Sequence, residues 1–143
     1  MNIIESLKNY FNTFPELETK TIFVNFLKEK GSSFSIIPSP TQPLTITYID
    51  GSYEKRFTFS LVGRFNYSNE IRMNIENSTF FQDLEEWLIE NNENDILPVL
   101  GDGYEPLSIS VTSNGYLLGI SPDGKTGQYQ INFEFRYEKR RND

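Results

Sequence analysis

Histidine and cysteine are both missing from this chain of 143 residues. Without histidine there is no ordinary general base near neutral pH, no serine–histidine nucleophile pair and no imidazole ligand for zinc. Without cysteine there is no disulfide framework, thiolate nucleophile or thiolate metal site. Lysine and arginine are absent from residues 73–124, a stretch that carries ten aspartates and glutamates. No run reaches the roughly 18 apolar residues that a membrane span requires. Glu5 and Lys8 interrupt the apolar start, so the N-terminus does not read as a secretory signal. The formal charge is −7, which argues against gripping nucleic acid phosphates across the surface. The length suits a single domain over residues 1–143, with a core that needs no covalent staples.

The most informative stretch is residues 77–98. Phe80, Leu84, Trp87 and Leu88 recur at helical spacing and Phe81 widens the stripe, which predicts a helix with Trp87, Leu84 and Phe80 in the core. Gln82, Asp83, Glu85, Glu86 and Glu90 fill the polar side. Thr79 with Gln82 fits a capping box, with Asn77 or Ser78 as other caps, and the polar run 91–95 ends the helix. At the N-terminus Ile3, Ile4, Leu7, Tyr10, Phe11 and Phe14 predict an amphipathic helix that Pro15 stops near Thr13.

Residues 21–30 fit either helix or strand, and a short strand is expected over 34–37. Pro38, Pro40 and Pro43 exclude a central strand there and predict an exposed connection. Two alternating runs, 44–49 and 53–62, flank Asp50-Gly51, a type I′ hairpin signal. Residues 64–68 leave the sheet and 69–77 hold a separate short helix. Leu107, Ile109 and Val111 alternate with polar residues, Asn114-Gly115 turns the chain, and 116–121 returns. The most regular strand follows, with Tyr129, Ile131, Phe133, Phe135 and Tyr137 on one face. The sum is an α+β domain: a hairpin plus a three-stranded meander in an antiparallel or mixed sheet, with helices packed on one face.

Catalytic and metal chemistry find little support. Glu85 and Glu86 diverge by about 100° on a helix and cannot flank one bond. Asp95, Asp102 and Glu105 share a loop but lack the spacing of a calcium loop. Gly101-Asp102-Gly103 lacks the Lys-Ser/Thr ending of a phosphate loop, and Ser60, Ser110 and Ser121 have no elbow motif. Neither an enzyme nor a cofactor or metal protein is expected. Positive charge gathers at Arg136, Lys139, Arg140 and Arg141, which predicts a short basic tail from about residue 138 and a candidate interface.

The pattern I-E-N-S-x-F-F-x-D-L-E-E-W-L-x-E-N-N from Ile75, followed by Ile96-Leu97-Pro98, resembles a family of small siphophage proteins, minor capsid proteins or tail terminators. The amphipathic start, Ser35 to Pro38, Tyr48-Ile49-Asp50-Gly51-Ser52 and Ser113-Asn114-Gly115-Tyr116-Leu117 are similar as well, so the resemblance spans most of the chain. It implies a tail-terminator-like fold and a structural protein that forms a homo-oligomeric ring, usually a hexamer. That ring caps the tail-tube protein and meets the head-completion or connector protein. Localisation would be the virion neck, with assembly in the host cytoplasm and no membrane or sequence-specific nucleic acid binding. In such a ring Asp83, Glu86 and Glu90 would line the lumen or its rim, or else form a plain solvated face on the ring exterior. The Pro38–Pro43 connection, the Pro98–Pro106 loop and the basic residues would be contact elements. Alternatives are another neck or minor capsid component, or a monomeric ligand-binding or regulatory domain.

Overall fold

A computed structural model describes residues 2–18, 20–25, 33–39, 44–66 and 71–140. The first helix, α1 (Ile3–Phe11), begins where the Asn2 side chain accepts the Glu5 backbone N–H at 3.1 Å, satisfying one of the free donors of the first turn. It stops before an extended Phe14 and a 3-10 turn at Pro15–Leu17, as the proline predicts. Six strands follow: β1 (Ile22–Val24), β2 (Ser33–Pro38), β3 (Leu44–Thr47), β4 (Tyr53–Asn66), β5 (Tyr104–Ile120) and β6 (Thr126–Lys139). Between β4 and β5 lies α2 (Ile71–Glu93).

The fold is α+β with a mixed sheet in the order β1-β2-β4-β6-β5, and β3 also pairs with β4. Among the described residues only β1–β2 is parallel. Long β4 is the spine: β6 runs along its whole length on one side, while β2 and β3 share the other. Phe59 faces Phe133, Phe57 faces Phe135 and Leu61 faces Ile131, so the alternation of both strands puts their apolar residues on one face. Both helices pack there. Phe11 of α1 lies 5.9 Å from Phe59 and 5.2 Å from Phe133, while Phe80 of α2 lies 5.3 Å from both Phe34 and Phe65. Phe11, Leu7, Leu84, Phe59, Leu61, Ile131, Phe133 and Phe135 are completely buried.

Several expectations are corrected. The predicted caps at 77–79 lie inside α2, because no glycine or proline interrupts 71–93 and Asn77 turns inward toward Tyr129 at 3.4 Å. The strand β4 stays in the sheet to Asn66, paired with Thr126. The Asp50-Gly51 turn is a three-residue hairpin loop rather than type I′: Gly51 has φ +90°, and Asp50 is not among the residues of positive φ. Gly51 N–H donates to Tyr48 O and Tyr48 N–H to Ser52 O, and the Asp50 carboxylate accepts from Ser52 N–H. Pro38 ends β2, which is an inner strand. Among the described residues β1 pairs with β2 only as far as Ile36, so none of them needs a backbone N–H from Pro38 on that side. Residues 26–30, Pro40 and Pro43 lie outside the described residues.

The meander is a two-stranded hairpin. Asn114-Gly115 does not turn; β5 continues through it, with a register shift between Ser113 and Tyr116 that marks an extra residue. The reason is packing. A Cβ on Gly115 would stand 2.5 Å from Phe81 Cγ, so glycine is there to let α2 lie against the sheet.

Candidate functional site

Because strand side chains alternate, the sheet face without the helices collects the polar residues of β4, β5 and β6. At its centre Ser60 Oγ donates to Asn132 Oδ1 at 2.6 Å, and Gln130 Nε2 donates to the same oxygen at 2.9 Å. Asn132 Nδ2 donates in turn to Ser113 Oγ at 2.8 Å. A hollow of about 430 Å³ lies over this row, bounded by Ile37, Ser39, Thr58 and Thr112. The amides and hydroxyls of the row are bonded mainly to one another, so they offer few free donors to a ligand. Farther along β2, Ser33 and Ser35 are buried with hydroxyls that have no hydrogen-bond partner.

Charged residues occupy the other end of this face. Glu54 is buried, and its carboxylate accepts from Arg136 Nε at 2.5 Å and from the Tyr48 hydroxyl at 3.3 Å. The Arg136 hydrogen bond holds the Glu54 carboxyl below the usual carboxylate range. Arg136 sits directly opposite Arg56, so Glu54 also screens two like charges in register.

Each predicted basic contact residue is engaged within the fold or lies outside the described residues. The strand β6 continues to Lys139, past the point near 138 where the sequence predicts a tail. Lys139 lies 4.0 Å over the Tyr104 ring, and Arg140 pairs with Glu105 while its backbone N–H donates to Gly103 O. Arg141 lies outside the described residues. The Arg140 pair also occupies Glu105, one of the three loop carboxylates, and no cluster of three metal-ligating side chains occurs among the described residues. Of the loop over 98–106, Pro98 is buried and Pro106 belongs to β5.

Leu84 and Phe80 are buried as expected, and Trp87 is partly buried between the helices, 5.1 Å from Tyr10 and 5.2 Å from Phe14. Glu86 and Glu90 are exposed on the outer side of α2. Asp83 faces Glu16 of the 3-10 turn. Partial burial, and then the Asp83 carboxylate, raise the Glu16 carboxyl above its ordinary value.

Sequence reasoning missed two apolar arms. At the β3–β4 end, Ile46, Tyr48 and Ile49 are exposed, Ile49 completely. At the opposite end of the long strands, Tyr116, Leu117, Leu118 and Ile120 are exposed on β5. Beside them Arg64, Leu118, Ile120 and Pro122 bound a hollow of about 510 Å³. The signals were present: isoleucine beside a hairpin glycine, and Tyr-Leu-Leu-Gly-Ile breaking the alternation of its strand. Compared with protein-family models and with curated proteins, the chain matches none of either.

Proposed function

We propose that this chain is a structural component of a tailed-phage or prophage virion, acting as a tail terminator that caps the tail tube and joins it to the head connector. What carries this reading is the resemblance to the siphophage family, distributed from the amphipathic start through the Trp87 segment to residues 113–117. The geometry is compatible in kind. Among the described residues a sheet of six strands with two helices carries exposed apolar arms at two separate ends, which suits contacts between neighbouring protein subunits. Work of this type is done by shape and charge complementarity and needs no reacting group.

The ligand-binding alternative has the polar hollow in its favour, but the groups lining it largely satisfy one another. Deleting the gene from its phage or prophage tests the proposal. Tails of unregulated length and heads left unjoined are the expected outcome, restored by supplying the protein in trans. Particles with normal tails and joined heads would overturn it.

A further inference from the structure

We propose that copies of this chain associate head to tail, with the apolar tip of the β3–β4 hairpin of one copy seated in the hollow at the β5–β6 end of the next. The inference rests on the reading of the protein as an assembling virion component and names the contact that such an assembly would use.

The knob is Ile46, Tyr48 and the fully exposed Ile49. The hollow, about 510 Å³, has apolar walls from Leu118, Ile120 and Pro122. Apolar side chains so exposed gain by leaving water, at roughly 25 cal/mol per Å² buried. The two patches lie on opposite edges of one sheet, since β3 flanks β4 and β5 flanks β6. They also lie at opposite ends of the long strands: Tyr53, beside the knob, pairs with Lys139, whereas the hollow adjoins the Asn66–Thr126 end.

Charge selects a second copy as the occupant. Among the described residues no acidic side chain lines the hollow, and the partly exposed Arg64 puts a positive charge on its wall. The knob carries Asp50 directly after Ile49, an exposed residue whose carboxylate is held on the turn by the Ser52 N–H and hydroxyl. Seating Ile49 against Leu118 and Ile120 brings Asp50 to the Arg64 side. Knob against knob would instead set Asp50 against Asp50, so the contact is heterologous and repetition makes a ring or an open chain.

The strand edge agrees. Near its start β5 is closed off by α2, because the Asn92 side chain accepts Ile109 N–H and donates to Ile109 O, as a neighbouring strand would. From Tyr116 to Ile120 no side chain among the described residues does the same, so this apolar part of the edge is left open. A three-residue knob covers far less than the roughly 1,200–2,000 Å² of a stable pair, so each contact is weak alone and depends on ring closure or a template.

Thiol cross-linking tests the contact directly, because the chain has no cysteine of its own. Ile49→Cys and Leu118→Cys are exposed substitutions that leave the core intact. Mixed at high concentration with a short bis-maleimide, the two variants should form a heterodimer several-fold above either homodimer, and a chain carrying both should give a ladder or a closed ring. Glu86→Cys, on the outer side of α2, should stay at collision level with either partner. Folded variants that give only homodimers, no product, or as much product with Glu86→Cys would overturn the proposal. Absence of the cross-link in a protein that still caps tail tubes would remove this contact alone. An efficient cross-link in a protein that never caps tubes would remove the terminator reading alone.

Discussion

Alanine at position 115 would place a methyl group within 2.6 Å of two Phe81 carbons, and neither the helix nor the strand can yield without disturbing the core. Gly115→Ala should therefore destabilise by about 3 kcal/mol, the upper end for overpacking. Equilibrium urea denaturation checks it. In a Phe81→Ala background the same change should cost clearly less, because the two sites interact. Glu54 gives a prediction with a pH signature. Its carboxyl is depressed by the Arg136 hydrogen bond, so the stability it contributes is present above the unfolded-state pKa and is lost as pH falls through the folded value. Glu54→Gln should cost about 1–2 kcal/mol at pH 7, discounted from the buried-pair range because Arg136 is 39% exposed. The difference from wild type should shrink as pH falls below the ordinary glutamate value and vanish only below the depressed folded-state value, where Glu54 itself becomes neutral. A pH-independent difference would show that packing rather than charge is responsible.

Among the elements, α2 depends on α1 through one side chain more than any other. Trp87 contacts Tyr10, Phe11 and Phe14, and one turn later Asn91 donates to the Tyr10 hydroxyl at 3.2 Å, which itself donates to Ile96 O at 3.0 Å. Trp87→Ala should cost about 3 kcal/mol, the low end for large aromatics because the ring is only partly buried. A melting temperature within a degree of wild type would show that the helix pair is held elsewhere. Elements with strict periodicity were legible before the structure: α1, the apolar stripe of α2, β6 and residues 53–62 of β4 stand where their patterns put them. Those set by tertiary contact were not. Asn114-Gly115 has the composition of a turn, and only the nearness of Phe81 explains why a continuous strand needs that glycine. Asn77 looks like a cap until Tyr129, 52 residues away, gives it an interior partner. The basic cluster looked like a tail because Glu105 and Tyr104, its partners, are remote in sequence. The exposed arms were obscured for a related reason: exposure depends on what the rest of the chain fails to cover.

For the molecule as a whole, the helices cover one face of the sheet, the other face is polar, and the apolar arms project at two ends. On the proposed reading the arms make the contacts between subunits; the acidic residues Glu86 and Glu90 of α2 face solvent. The central claim is that the protein ends the growth of a tail tube, and it can be measured without the rest of the virion. Its cognate tail-tube protein is allowed to polymerise with and without the purified chain, and tube lengths and ends are recorded by electron microscopy. The account predicts shorter tubes as the chain is added, each carrying extra density at one end. Tubes of unchanged length with bare ends, in the presence of folded protein at several-fold excess over tube ends, would contradict it.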